Sequence, residues 1–421
     1  MKEWSLYSDK EREELSKYSP AASRYQNIVS KIAGSADPLI RLKYRRHQAW
    51  LNCAYATYFK TESTKSIASE WSHQTFSILQ EASREFELDT GEIGLFAMGK
   101  LGSYELNLSS DIDLIWISEK PAERPLIKKV SAFTQALSNV DEFGFCYRVD
   151  YDLRPGGRLG PLISSLAQAE NYYWSQGETW ERIALLRLSP ALKNIPINKE
   201  LMKLRDQYCF RKYSDFNLLE SLQQQRSKIR QFYNFDPDKL EDSFHLKLSP
   251  GGIRDIELFF HVNLILHGGK DQEIRALDIE SIAHNLAGKN LINKNITEEL
   301  ISNYWKLRHA EHFVQLENDQ QTHMLTTRNE SPLGSTLKEV SEISSAVNAT
   351  VSNLLGEITS IEETLPAKEE EQKQLLADLG FKNETIERVW PRVLQLTAQS
   401  TNPQRDESYR KKVLFRYIKH L

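Results

Sequence analysis

Two apolar segments separated by a glycine-rich turn form the clearest pattern in the chain. Residues 93–98 are almost entirely apolar, which predicts a buried strand, and Gly99–Ser103 then forms a turn that leads into a short helix. A second apolar segment, ending at Ile117, is opened by Asp111 and Asp113. Because side chains two positions apart on a strand share one face, we expect both carboxylates to project together.

Most of the remaining pattern is helical. Apolar residues recur at helical spacing in Arg41–Tyr58, Thr64–Phe86 and Leu126–Val140, and again from Asn198 almost to the end of the chain. The basic residues near the start of the first segment predict either a solvated helix face or a basic rim that meets a nucleotide or an acidic partner. They are Arg41, Lys43, Arg45 and Arg46.

The alternating segment Phe143–Pro155 predicts another strand, with one ionic face. That face would carry Arg148, Asp150, Asp152 and Arg154. A face made only of ionic residues is costly unless it lines a site. The strand–helix–strand order makes this strand a neighbour of the one opened by Asp111, so Asp150 would complete a cluster of three carboxylates. Alternating surface salt bridges are the other interpretation.

These elements predict an α+β protein with a small mixed β-sheet embedded in a mostly helical chain that ends in a helical bundle. The expected divisions are a helical region at 1–92, a sheet-containing core at 93–195, a helical bundle at 196–365, and a linker with the start of a further helical region at 366–421.

Composition narrows the class of protein. Of the 421 residues, 40% are hydrophobic and 27% charged, and the formal net charge of −4 gives no electrostatic footprint for nucleic acid. Three scattered cysteines predict a reducing, cytoplasmic location. The N-terminus lacks the apolar core of a signal peptide, and no apolar segment is long enough to span a membrane.

The candidate chemistry lies at the glycine-rich turn and the strand after it. Two carboxylates held together repel each other, and a divalent cation with oxygen ligands is their usual partner. Gly99 and Gly102 permit close backbone approach, and Ser103 is expected at a helix N-terminus, which favours phosphate. This combination predicts phosphoryl or nucleotidyl transfer with Mg²⁺, whereas two carboxylates alone would indicate only a solvated strand end.

Three further groups leave alternatives open. Glu181 and Arg182 form either a local ion pair or a wall of the site. The Gly251-Gly252 turn before Arg254 suits either a ligand or a simple helix cap. The histidines at 309 and 312 have helical spacing, but no third ligand lies nearby, which disfavours zinc.

Several ordered motifs resemble the glutamine synthetase adenylyltransferase/adenylyl-removing enzymes of the polymerase-β-like nucleotidyltransferase superfamily, over roughly residues 40–330. The motifs are Met98-Gly99-Lys100-Leu101-Gly102-Ser103, Ser109-Ser110-Asp111-Ile112-Asp113-Leu114, Tyr147-Arg148-Val149-Asp150, Leu153-Arg154-Pro155, Trp180-Glu181-Arg182, Phe210-Arg211-Lys212-Tyr213, Gly251-Gly252-Ile253-Arg254-Asp255-Ile256-Glu257, and Leu307-Arg308 through Gln321-Thr322-His323.

The resemblance implies a polymerase-β-like core, two Mg²⁺ ions, and ADP, ATP and phosphate as substrates or products. It makes three residues the catalytic and metal-binding set: Asp111, Asp113 and Asp150. It implies that phosphate or nucleotide is bound by Gly99, Lys100, Gly102, Ser103, Ser110, Arg148 and Arg154. It suggests a substrate wall made by Glu181, Arg182, Arg254 and Glu257.

Family enzymes carry two such halves, and this chain resembles the first, which removes AMP from a tyrosine of glutamine synthetase by phosphorolysis. It therefore looks like a truncated or reduced homologue. The resemblance implies glutamine synthetase as protein substrate and the signalling protein PII as a possible partner, with no nucleic acid and no membrane. The alternatives are AMP transfer from ATP to glutamine synthetase or another target, and a catalytically weak regulatory or docking module.

Departures from the family pattern qualify this interpretation. Ser103 replaces the second glycine of the usual pair, and Asp152 stands where arginine is usual. Arg187 and Ser189 stand where lysine and arginine are commoner. Loss of positive charge beside a phosphate site is expected to weaken catalysis or to alter which phosphate is accepted.

Overall fold

A computed structural model describes residues 1–193, 196–210 and 243–359, together with Lys373 and Trp390. These residues form a mixed fold of helices and a small sheet, in agreement with the predicted α+β class. The described part of the chain contains no helix long and apolar enough to cross a membrane. The region at 366–421, expected to hold a linker and a helical start, lies outside the described residues except at those two positions.

The described α-helices have the following bounds: α1 Asp9–Tyr18, α2 Pro20–Ile32, α3 Pro38–Tyr58, α4 Thr64–Glu85, α5 Gly99–Gly102, α6 Arg124–Ser138, α7 Leu166–Ser175, α8 Thr179–Leu186, α9 Pro196–Cys209, α10 Ile253–Gly268, α11 Ile279–Gly288, α12 Lys294–Leu316, α13 Thr327–Leu333 and α14 Leu337–Thr359. The strands are β1 Ile93–Ala97, β2 Ile112–Ser118, β3 Val149–Asp150, β4 Ile163–Ser165, β5 Ser189–Pro190, β6 Ser243–His245 and β7 Met324–Thr326.

The N-terminal helices begin where the sequence provides caps. The side chains of Ser8, Ser19, Asp37 and Ser63 each accept a hydrogen bond from a backbone N–H in the first turn of the helix that follows. The predicted helices at 41–58 and 64–86 are confirmed as α3 and α4, each within three residues at either end.

The sheet is built around β2. Its order is β3–β2–β1–β5, with β4 also paired to β2. Strands β1 and β2 are antiparallel, whereas β3 and β4 run parallel to β2. The helix predicted between β2 and β3 is confirmed as α6, whose return across the sheet brings β3 beside β2.

The predicted strand at 143–155 is much shorter than expected, because only Val149 and Asp150 pair with β2. The chain then turns away. Asp150 Oδ1 accepts a hydrogen bond from Asp152 N at 2.7 Å, and Gly156 adopts a left-handed conformation with φ +81°. Asp152 pairs with Arg158 in this loop, at 2.8 Å, so its extra negative charge is offset by a neighbour there.

Buried charged side chains join the sheet to the C-terminal helices. Lys100 Nζ donates to Glu257 Oε1 at 2.8 Å, and the Arg187 guanidinium lies 3.2 Å from the same oxygen. Burial opposes ionisation of Glu257, but Arg187 and Lys100 hold its pKa well below its usual range. One carboxylate on α10 therefore pairs with two cations from the sheet layer.

A third cation, from α12, extends this network. Arg308 is fully buried, donates to the carbonyl of Glu105 at 2.6 Å, and lies 3.2 Å from the Glu311 carboxylate. Glu311 also pairs with His323 at 2.8 Å. The sheet layer and α12 are thus joined by the hydrogen bond from the Arg308 guanidinium to the Glu105 carbonyl, inside an apolar core that runs from Tyr7 to Val351.

We expect Glu257→Gln to destabilise the fold by about 3–5 kcal/mol, because it leaves Lys100 and Arg187 buried without their counter-ion. The measurement is urea unfolding at pH 7. Glu273→Gln, which changes an exposed carboxylate paired with Lys289, is the matched control and should cost less than about 1 kcal/mol. Equal losses for the two variants would contradict a structural role for the buried pair.

A buried histidine predicts acid sensitivity. His47 donates through Nε2 to the Phe143 carbonyl at 2.8 Å and stacks on Tyr25. Burial, and next the charge of Arg46, lower the pKa of His47 to about 3.

Between pH 6.5 and 3, only the unfolded state protonates residue 47, so the free energy of unfolding should fall as pH falls. The expected slope from this group is about 1.4 kcal/mol per pH unit. His47→Gln should remove that slope between pH 6 and 4 in chemical unfolding experiments. His73→Gln, at an exposed position on α4, should leave the slope unchanged. An unaltered slope in His47→Gln would contradict the assignment.

Candidate active site

The glycine-rich turn lies directly against Asp113. Gly99 has φ +56°, and a Cβ at this position would overlap Asp113 Oδ2. The backbone reinforces this approach, because Met98 N donates to the Asp113 carbonyl at 2.9 Å. Glycine is therefore required at position 99 by both conformation and space.

Asp113 and Asp150 face each other across neighbouring strands. They are register partners in the parallel pair of β2 and β3, so their side chains lie on the same face of the sheet. Burial and the charge of Asp150 raise the pKa of Asp113 to about 7, and Asp111 acts in the same direction. The predicted adjacency of Asp150 and Asp113 is present in the structure.

Asp111 is held by an arginine. Arg148 Nε donates to Asp111 Oδ1 at 2.7 Å, and the same guanidinium donates to the carbonyl of Ser109 at 2.8 Å and to that of Asp319 at 3.4 Å. Among the residues that the structure describes, no three histidine, cysteine, aspartate or glutamate side chains are gathered closely enough to hold a metal ion. Two of the three predicted carboxylates face each other, and the third is paired with Arg148.

The predicted phosphate ligands divide into two groups. Gly99 borders the cavity described below, whereas Gly102 and Ser103 are buried behind it. A Cβ at Gly102 would overlap the carbonyl of Arg187, so this glycine permits the close packing of β5. Ser103 follows the short helix instead of preceding it, and its hydroxyl lies 3.0 Å from a carboxylate oxygen of Glu105.

Three other predicted phosphate ligands also have defined places. Lys100 is buried against Glu257, and burial lowers the pKa of its ammonium group to about 8. Arg154 donates to the carbonyls of Tyr151, Arg158 and Gly160 within its own loop. Ser110 is half-buried in the loop before β2, beside Asp111. Phosphate binding by these residues stays a prediction.

A cavity of about 350 Å³ opens beside Gly99. It is bounded by the sheet, by α8, by the turn before α10, and by the first turns of α10. Its apolar side is formed by Leu153, Trp180, Ile183, Ala184, Leu248 and Leu258. Its polar side is formed by Arg187, Lys247, Arg254, Asp255, Glu257 and His261.

The predicted substrate wall is partly in this cavity. Arg254 and Glu257 line it, but Glu181 and Arg182 do not. Glu181 is buried and accepts hydrogen bonds from the Tyr172 hydroxyl at 2.9 Å and from Glu178 N at 2.7 Å. Arg182 is buried and donates to the carbonyl of Cys209 at 3.0 Å. Both of these side chains bind neighbouring protein groups.

Trp180 and Lys247 are among the cavity residues that the sequence did not single out as site residues. Trp180 is 36% exposed and lines the cavity. Lys247 also lines it, and its charge lowers the pKa of Asp113 against the stronger effects of burial and Asp150. Their positions in the sequence could have indicated a role in the site, since Trp180 directly precedes Glu181 and Lys247 lies shortly before the Gly251-Gly252 turn.

Comparisons with known proteins find similarity in two segments of the chain. Residues 62–201 match the family model of glutamate-ammonia ligase adenylyltransferase, and residues 219–357 match that of GlnD PII-uridylyltransferase. Relatives named bifunctional glutamine synthetase adenylyltransferase/adenylyl-removing enzyme occur in several bacteria. The protein of Nitrosococcus oceani is 35% identical over 247 residues, which cover 56% of this chain and 25% of the relative.

Two other relatives with this name give the same result. The Pseudomonas aeruginosa protein is 34% identical over 55% of this chain and 24% of its own length. The Mannheimia succiniciproducens protein is 33% identical over 61% of this chain and 27% of its own length. The chain thus spans about a quarter of the length of the curated relatives it matches. The matched residues 62–201 include the carboxylate pair and the glycine turn, so the similarity to glutamate-ammonia ligase adenylyltransferase covers these parts of the candidate site.

Proposed function

We propose that this chain is a Mg²⁺-dependent nucleotidyltransferase with a polymerase-β-like core that acts on glutamine synthetase. The supporting observation is the pairing of Asp113 with Asp150 against the Gly99 turn, at the edge of a cavity with polar and apolar sides. The proposal keeps the expected division of the chain into four regions, at 1–92, 93–195, 196–365 and 366–421. A cytoplasmic location fits three free, buried cysteines.

The donor set fits magnesium. Asp113 and Asp150 offer hard carboxylate oxygens, and Mg²⁺ is commonly bound through one or two carboxylates together with substrate phosphates. Asp111 is the third proposed ligand, and its present partner is Arg148. When bound, the cation would neutralise charge on the phosphate oxygens as the reaction proceeds.

The reaction we propose is phosphorolysis of AMP-tyrosine. An oxygen of orthophosphate forms a bond to the phosphorus of the AMP group, and the bond from that phosphorus to the tyrosine oxygen breaks. The proton lost by orthophosphate is balanced by the proton that the tyrosine oxygen takes up, and the products are ADP and unmodified tyrosine. Gly99 keeps the space beside Asp113 open, and Trp180 offers an apolar face for a base or an aromatic ring.

Attachment of AMP from ATP to glutamine synthetase is the second candidate, because the relatives' printed name includes both attachment and removal of AMP. Removal is favoured here by the resemblance of Trp180-Glu181-Arg182 and Gly252-Ile253-Arg254-Asp255 to the AMP-removing half. Phosphate-dependent release of ADP and ATP-dependent incorporation of AMP, measured on one preparation of glutamine synthetase, would decide the direction. We also propose PII as a regulatory partner, on the match of residues 219–357 to a PII-uridylyltransferase model.

Asp113→Asn should lower the rate of ADP release from adenylylated glutamine synthetase by roughly 10³-fold or more, because it removes charge at the reacting phosphate. The circular dichroism spectrum and melting temperature check that the fold is retained. Asp152→Asn is the matched control, since Asp152 pairs with Arg158 in an exposed loop, and its activity should stay near that of the wild type. Release of ADP by Asp113→Asn at the wild-type rate would refute the proposed site.

Gly99→Ala should also reduce ADP release strongly. The added methyl group would overlap the Asp113 carboxylate, and the left-handed backbone would cost about 1–2 kcal/mol for a residue with a Cβ. Gly288→Ala is the control, because a Cβ there meets nothing within 4 Å. The same kinetic assay, with melting temperatures, compares the two variants. If both variants release ADP at the same rate, the close approach of residue 99 to Asp113 is not needed for activity.

A further inference from the structure

Two cations face the cavity from the turn before α10 and from the first residues of α10. Lys247 and Arg254 both line it, and within the described ranges neither side chain has a hydrogen bond or a carboxylate in salt-bridge distance. Arg187, by contrast, is paired with Glu257, and its Nε donates a hydrogen bond to His261 Nε2 at 3.3 Å. The wall formed by the turn therefore carries two positive charges with no described carboxylate in salt-bridge distance, although the charge of Lys247 acts on Asp113.

The turn that carries these cations is held in a fixed shape. Arg254 N donates to the Lys247 carbonyl at 3.2 Å, so a backbone hydrogen bond closes the loop of residues 248–253 and holds the two residues close together. Gly251 has φ +76°, and its N–H donates to Asp255 Oδ2 at 2.8 Å. The Asp255 carboxylate, which also lines the cavity, is therefore engaged by the turn itself.

Helix α14 braces the same turn from outside. Ser344 Oγ donates to the Pro250 carbonyl at 2.7 Å, and a Cβ on Gly251 would overlap the Ser344 carbonyl. A turn held on both sides fixes the backbone positions of its two cations, which reduces the entropy lost when they bind an anion.

We propose that Lys247 and Arg254 form a phosphate-binding pair in the wall of the cavity that Gly99 also lines. The ligand is a phosphate group, which arrives either as free orthophosphate or as a phosphate of a nucleotide whose base takes the apolar side near Trp180. Arginine and lysine are the usual phosphate ligands. Lys247 is half-buried and Arg254 is exposed, so a phosphate group can reach the pair from solvent. This inference rests on the proposed function, because it assigns the phosphate that takes part in that reaction.

The test uses the full chain with Lys247→Gln, Arg254→Gln and the double variant. Isothermal titration calorimetry measures the binding of inorganic phosphate alone and of ADP alone, at constant ionic strength. Each substitution should weaken binding by about tenfold or more, which corresponds to about 1.4 kcal/mol. Lys247→Arg should retain most of the affinity. Lys270→Gln, an exposed lysine just after α10, is the matched control for general loss of charge.

The two probes distinguish the sources of the phosphate. Weaker binding of inorganic phosphate, with a raised KM for phosphate and an unchanged KM for glutamine synthetase, identifies free orthophosphate. Weaker binding of ADP with unchanged phosphate binding identifies the nucleotide. Affinities of the double variant within twofold of the wild type for both probes would overturn the proposal, as would a wild-type chain that binds neither.

Failure of this inference is distinguishable from failure of the proposed function. If Asp113→Asn abolishes ADP release while the double variant binds and turns over normally, the function stands and the phosphate pair is wrong. If the wild type binds phosphate through Lys247 and Arg254 but Asp113→Asn retains full ADP release, the anion site stands and the carboxylate site is wrong.

Discussion

The structure depends on the neutralisation of charge inside its core. Lys100 comes from the turn after β1, Arg187 from the end of α8, and both are buried against the single carboxylate of Glu257 on α10. Buried ions are costly when unpaired, so these three residues must be brought together for the chain to fold. Because Gly99 is the residue before Lys100, the same contact sets the position of the turn against Asp113, and the cavity lies between the paired elements.

The local parts of this arrangement were predictable from the sequence. Apolar runs and alternation located β1 and β2, and the strand–helix–strand order placed Asp150 beside Asp113. These predictions worked because the period of a strand and the return of a crossover helix are properties of nearby residues. The predicted length of β3 was wrong, because the alternation from 143 to 155 continues beyond the strand into a loop. The path of that loop is set by Gly156 and by the hydrogen bonds of Arg154.

The long-range parts were not predictable in the same way. Lys43 and Arg46 were expected on a solvated face or a basic rim, yet both are buried, and Arg46 pairs with Asp319 at 2.6 Å. Ser103 was expected to begin a helix and instead ends one. The partner of Asp111 is Arg148, and the cations of the cavity wall come from residues 247 and 254. Such pairings join distant segments, and neither residue type nor spacing specifies them.

The contact between Ser344 and the turn at Gly251 bears on the boundaries of the segment that is needed to form the cavity. The match to the family model of glutamate-ammonia ligase adenylyltransferase ends at residue 201, yet one wall of the cavity is built from residues beyond 246 and is supported by α14. A boundary drawn at that point would divide the cavity instead of enclosing it. The smallest autonomous piece that can keep the wall in place therefore extends past residue 344, into what sequence alone would treat as a separate helical module.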